Sequence, residues 1–205
     1  MKNVLKFLSG IVIIAAASCS GNGSKSTADS DSTANYSSNS TDAAIDSNKK
    51  ELKAKDSTEV KADYEYAVKA ANGGMMEVEL GKLAQQKAIT PQVLAFGKMM
   101  VTDHSKANTE LKGIAAAKFI TLPAILSNDL QKDYDDMAKL GKAEFEKAYT
   151  DYMVKDHKED IEEFQKEAKD GKDTVLKAFA AKHVPILQHH LEMAQNASDV
   201  VKNKK

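Results

Sequence analysis

Residues 90–114 read TPQVLAFGKMMVTDHSKANTELKGI, and within them Val93, Phe96, Met100, His104, Ala107, Leu111 and Ile114 recur at spacings of three and four. That is the period of one face of an α-helix. Thr90 supplies an N-cap and Pro91 a first helical residue, so the start is marked as well. The stripe runs through His104, which sets an imidazole among residues suited to a core.

The same period extends on both sides. Upstream, Asp56 and Glu59 stand in capping-box register, and Tyr64, Val68, Ala71, Met75 and Val78 fall on one stripe that must end before Pro91. Gly73 and Gly74 lie inside this helix, where each costs about 1 kcal/mol relative to alanine, so a close helix approach, a bulge or a break is expected there. Downstream, Pro123 lies in a connection, and Ser127 can cap a short helix over 129–140 that Gly141 terminates. A fourth helix follows over 142–169 with Phe145, Tyr149, Met153, His157 and Phe164, and stops at Gly171. The last begins at Asp173 and carries Phe179, His183, Ile186, His190, Met193 and Ala197, with Pro185 expected to kink it.

The expected class is therefore all-α. Short turns at 90 and 170–172, with one long connection between the second and fourth helices, specify a four-helix bundle with a long crossover containing a short helix. In that topology the helices carrying His104 and His157 run parallel, and the reading takes them as neighbours.

The chain before residue 56 reads differently. Lys2 and Lys6 precede an apolar run too short to span a bilayer comfortably, which is the pattern of an export signal. Ala16-Ala17-Ser18-Cys19 places small residues before the single cysteine, as in a bacterial lipoprotein cleavage and lipidation site. Residues 1–19 are thus expected to be a signal ending at the lipidated Cys19, which would anchor the protein on a membrane facing the periplasm or cell exterior. Residues 20–55 are Ser-, Thr-, Asp- and Asn-rich and read as a disordered tether, leaving 56–201 as one helical domain.

The 29 basic and 30 acidic residues are mixed along the chain, and every basic one is lysine. Without arginine or a basic patch the chain lacks the footprint of a nucleic-acid binder. Serine-nucleophile, phosphate-loop and zinc-protease motifs are also missing, so no catalytic residue is assigned.

Met-Val-X-Asp-His occurs twice, ending at His104 and at His157. Counted from their helix starts, the two histidines lie about 13 and about 15 residues in, level to within a few ångström at 1.5 Å per residue. Counting back from the turns, His190 and either Glu77 or Glu79 reach the same height. A mid-bundle layer of His104, His157, His190 and Glu77 or Glu79 suits one transition-metal ion, whether zinc, iron, copper or manganese, or a small ligand. An alternative is a hydrogen-bonded polar core layer without metal, with Tyr149 or Tyr152 as partners, in a protein whose role is structural or lies in contacts with envelope proteins. Asp103 and Asp156 each point about 100° away from their histidines, so they are poor ligands; they either orient a neighbouring helix's groups or face solvent. His183 reads as a packing or partly exposed residue, His189 as surface, and Met75, Met99, Met100, Met153 and Met193 as core filler.

The segments Gly73 to Ala84, Met100 to His104, Met153 to His157 and Pro185 to Leu191 together resemble the ferritin-like bacterial exported family called domain of unknown function 4142. The resemblance covers roughly residues 60–198 and implies an exported helical bundle of ferritin-like shape, with no established reaction. Di-iron ferritin-like proteins carry Glu-x-x-His on two helices. Here the residues three before the histidines are Val101, Val154, Ala180, Ile186 and Leu187, which argues against ferroxidase or di-iron oxygenase chemistry.

Overall fold

A computed structural model describes residues 40–54 and 60–204. It contains helices α1 (Thr41–Ala54), α2 (Lys61–Lys87), α3 (Pro91–Lys118), α4 (Asn128–Lys139), α5 (Lys142–Asp170) and α6 (Thr174–Lys202), with no strand among the described residues. The signal segment, Cys19 and the Asp56–Glu59 capping box lie outside the described residues.

Four of the expected helices start and stop within a residue or two of their signals, although the caps are used differently. Asp173 accepts the amides of Val175 and Leu176, and Ser127 that of Leu130. Thr90 stands at the N-cap of α3 but makes no capping bond. Its hydroxyl donates instead to Glu146 on α5, 2.6 Å away. Helix α6 continues through Pro185 as one element.

One expectation is corrected outright. Residues 41–54, assigned to the tether, form α1, which packs on α2. Composition hid it because its buried stripe is only Ala44, Asn48 and Leu52, spaced i, i+4, i+8. Asn48 replaces apolar bulk with a two-way amide clamp, donating to the Thr121 carbonyl at 2.9 Å and accepting the Thr121 amide at 2.8 Å.

The long helices pack as α2 with α3, α3 with α6, α6 with α5, and α5 with α2. Residue pairs give their directions. Down α2 from Gly81 to Gly74 the partners on α3 rise from Gly97 to Asn108, so these two are antiparallel. Glu110 meets Lys182 and Lys118 meets Asp173 between α3 and α6; Lys69 meets Glu163 while Ile89 meets Glu146 between α2 and α5. Helices α3 and α5 are therefore parallel, as expected, but they face one another across the interior and are not neighbours.

Reciprocal carboxylates lock the two hairpin turns. Buried Glu146 of α5 accepts the amides of Ile89 and Thr90, and buried Asp63 of α2 accepts those of Lys172 and Asp173. Lys87 ends α2 by donating to the Ala138 and Leu140 carbonyls at 2.6 and 2.7 Å, satisfying the open end of α4. Neighbouring Glu167 is less comfortable. Burial, with Asp63 and Asp173 nearby, pushes its carboxyl up to about 7, and its Oε1 has no hydrogen-bond partner. A carboxyl raised in the fold contributes stability below its unfolded value and loses it as pH rises through 7. The urea midpoint of Glu167→Gln relative to that of the native chain should therefore rise between pH 5 and pH 8; a constant difference across that window would reject the assignment.

Helices α2 and α3 meet at glycines. A Cβ on Gly81 would lie 2.9 Å from the Gly97 carbonyl oxygen, and one on Gly97 would lie 2.8 Å from the Ala84 Cβ. At Gly73 it would meet nothing within 4 Å, and α2 is unbroken there. Gly81→Ala and Gly97→Ala should each destabilise by about 1–3 kcal/mol through overpacking. Gly73→Ala should instead stabilise by up to about 1 kcal/mol. Chemical denaturation of the three variants separates these outcomes.

Two apolar clusters fill the interior, one around Phe96, Met100, Phe145 and Met153, the other around Tyr66, Leu111, Phe164 and Leu176. On α2 the expected stripe holds at Val68 and Ala71, which are buried, and then turns: Met76 and Leu80 are buried, while Met75 and Val78 sit at the edge. Among the described residues no helix is long and apolar enough to cross a membrane.

Candidate functional site

Between the two apolar clusters lies a buried polar layer with one side chain from each long helix. Glu77 of α2, His104 of α3, His157 of α5 and His190 of α6 are all at most 6% exposed. The three imidazole centroids form a near-equilateral triangle with sides of 5.1, 5.5 and 5.6 Å. The diagonal placement of α3 and α5 is what allows this, since both histidines of the repeat then point inward from opposite corners.

Each imidazole is held by one ring nitrogen. His104 Nδ1 donates to Glu77 Oε2 at 2.6 Å. His157 Nδ1 lies 3.1 Å from the Met153 carbonyl, which can only accept, so the proton is on Nδ1. His190 Nε2 donates to Asp103 Oδ2 at 3.2 Å. In the uncharged rings this leaves lone pairs on His104 Nε2, His157 Nε2 and His190 Nδ1.

His104 Nε2 and His190 Nδ1 are within hydrogen-bond distance of each other at 3.2 Å, whereas His157 Nε2 stands 3.4 Å from Glu77 Oε1. Both of the latter atoms are buried without a hydrogen-bond partner. Burial, with the His104 and His157 imidazoles close by, drives the His190 imidazole down to about 4, and burial also lowers His157 against the pull of Glu77. Burial works to raise the Glu77 carboxyl, but His104, His157 and His190 outweigh it and hold it below the ordinary carboxylate range.

This arrangement can bind a cation. One ligand atom from each of His104, His157 and His190 lies within 4.8 Å of the others, and the same holds for Glu77, Asp156 and His157. Two nitrogens on a tetrahedral ion with bonds of 2.0–2.1 Å stand about 3.3 Å apart, close to the 3.2 Å between His104 and His190. Anchoring the far ring nitrogen to a carboxylate or carbonyl is the usual way a ligating histidine is oriented.

The other sequence candidates fall out as follows. Glu79 is outside the layer: two residues beyond Glu77 it lies about 200° round the helix, pairing with Lys82 on the surface. Asp103 reaches across to His190, with Oδ2 3.2 Å from Nε2. Asp156 does neither thing expected of it. Its Oδ2 is buried without a partner, 3.8 Å from a His157 nitrogen already committed to Met153, and burial beside Glu77 raises its carboxyl well above the ordinary range. It therefore groups with Glu77 and His157 as a candidate ligand. Tyr149 is fully buried, but its hydroxyl makes no bond to the layer. Burial and Glu77 raise it, so it caps the layer as an uncharged phenol.

His183 is buried, its ring tilted against that of Phe179 with centroids 4.2 Å apart and its Nδ1 bonded to the Phe179 carbonyl, whereas His189 is exposed. Met100 and Met153 are core, with Met75, Met99 and Met193 packed against it. The sequence reading did not find the Met153 carbonyl, Asp160 or Glu146. Asp160, four residues after Asp156, is raised by burial and by Glu77, and the i, i+4 spacing of Asp156 and Asp160 was the available signal.

No curated protein and no solved structure matches the chain. A family model described as Domain of unknown function (DUF4142) matches residues 48–197, from the middle of α1 to near the end of α6, and takes in the whole polar layer. The chain therefore belongs to the domain of unknown function 4142 family.

Proposed function

We propose that this protein is a ferritin-like four-helix bundle that binds one transition-metal ion at the His104, His157 and His190 layer, displayed on the cell envelope through a lipid on Cys19. The observation that carries the metal is the convergence of three buried imidazoles, with ligand atoms within 4.8 Å of one another, on a layer where His157 Nε2 and Glu77 Oε1 have no hydrogen-bond partner. A divalent ion drawn among the three rings gives His157 Nε2 the partner it lacks, offsetting the cost of burying polar groups. Glu77 then serves by holding His104 and neutralising part of the charge. The crossing of α4 between the two hairpins supports the ferritin-like topology.

Three nitrogen ligands on non-redox zinc or on iron, copper or manganese are all compatible with this set. The absence of Glu-x-x-His from every histidine position supports a single-ion site over a bridged pair. A second reading is a metal-free polar layer that fixes helix register in an envelope interaction module. The Glu77–His104–His190–Asp103 chain of contacts favours it, but His157 Nε2 has no partner under it.

Cobalt(II) titration of the purified protein tests the site. Intense visible bands saturating at one equivalent are expected, lost in His157→Ala; weak octahedral bands in both proteins would leave the metal-free layer. Intact-mass measurement tests the anchor separately, because acylation at Cys19 adds the mass of its acyl chains and an unmodified cysteine removes that part of the proposal.

A further inference from the structure

A pocket of about 530 Å³ opens between α3 and α6, outside the polar layer. Its size falls within the range of small-molecule sites, about 300–1,000 Å³. Ala107, Phe164, Pro185, Ile186 and Leu187 make its apolar wall, and the outer edges of His104 and His190 close one side. The rim charges are already matched: Lys182 pairs with Glu110 at 2.6 Å and Lys106 with Asp103 at 3.7 Å. An uncharged ligand is therefore favoured over an ion of either sign.

His183 supplies the recognition group. It is 7% exposed and fixed by a tilted ring contact with Phe179 and by Nδ1 donating to the Phe179 carbonyl at 2.8 Å. That proton placement leaves Nε2 as an acceptor in the uncharged ring. Nε2 belongs to a residue lining the pocket and lies 4.0 Å from Glu110 Oε2, beyond hydrogen-bond distance. Glu110 Oε2 is itself taken by Lys182. An acceptor held in place at the edge of an apolar wall selects a molecule with an apolar body and one hydroxyl donor.

We infer that this pocket binds a small uncharged phenol or alcohol, its hydroxyl donating to His183 Nε2 and its apolar body lying against Phe164, Ile186 and Leu187. The bound molecule then rests on the outer edges of His104 and His190. The site stands on its own residues and is independent of whether the layer holds a metal.

Phenol and toluene serve as probes of equal shape with and without the donor. Both should bind the full chain at pH 8 saturably, with NMR shifts at the Ala107, Ile186 and Leu187 methyls. His183→Phe keeps the aromatic packing and removes the acceptor; it should reduce the affinity of phenol relative to toluene by about fivefold, the worth of one hydrogen bond. Ile186→Arg, at a half-exposed wall position that leaves the core intact, should abolish both. An unchanged phenol-to-toluene ratio in folded His183→Phe would overturn the role of His183. Absence of saturable methyl shifts with either probe in the native chain would overturn the site.

Discussion

Glu77→Ala is expected to destabilise the domain by about 3–5 kcal/mol, the range for breaking a buried pair by removing one partner. The carboxylate is nearly inaccessible, takes the His104 proton at 2.6 Å and stands beside His157. Alanine leaves His104 Nδ1–H with no acceptor in the middle of a protein core, and opens a cavity between the two apolar clusters. Glu77→Gln separates charge from shape. Its amide oxygen can accept from His104, and its NH₂ can donate to His157 Nε2, the nitrogen that has no partner in the native layer. The glutamine variant should therefore fold with a loss of less than about 1.5 kcal/mol, the net value of an ordinary hydrogen bond, while losing metal affinity with the neutralising charge. Urea unfolding of the metal-free proteins measures both, and equal losses in the two variants would contradict the geometry.

The second large effect is metal-dependent stability. Any ion bound only by the folded chain stabilises it by about 4 kcal/mol at a free concentration a thousandfold above its dissociation constant. For a domain of this size that corresponds to about 8–16 °C in Tm. The His104→Ala/His157→Ala double variant should show a shift below about 1 °C at the same metal concentration, because too few ligands remain to bind the folded state preferentially. The pH course follows from the histidines. His190 titrates near 4 in the fold against its ordinary 6.5, so the unfolded chain takes up more protons between those values. Its contribution is present above pH 6.5 and lost as pH falls toward 4. The metal-free domain should thus weaken on acidification through this window, and metal should restore more of its stability at pH 7 than at pH 5.

The helical period made most of this architecture readable before any coordinates. The stripe from Val93 to Ile114 became α3, and counting levels along helices brought His104, His157, His190 and Glu77 to one height. What the count could not resolve was rotation. It left Glu77 and Glu79 equivalent, although only Glu77 faces inward, and it placed the stripe of α2 on Met75 when Met76 is the buried residue. It also took α3 and α5 as neighbours, because antiparallel hairpins can be laid side by side or crossed, and only contacts such as Lys69–Glu163 decide which.

Hydrogen-bond partners were less legible still. The two Met-Val-X-Asp-His segments are alike in sequence yet work differently: Asp103 reaches His190 on α6, while His157 is held by the Met153 carbonyl and Asp156 Oδ2 is buried without a partner. That difference comes from the neighbour each aspartate faces. Helix α1 escaped notice for a related reason, since Asn48 reaches Thr121 by a side-chain amide that composition cannot distinguish from a solvated residue.

The most direct test of the central claim is the metal content of the native protein, expressed in full and purified without an affinity tag. The account predicts about one equivalent of a transition metal per chain, reduced at least tenfold in the His104→Ala/His157→Ala variant, as expected when ligands to a single site are removed. Less than about a tenth of an equivalent of any transition metal, together with no thermal stabilisation on adding metal, would contradict it.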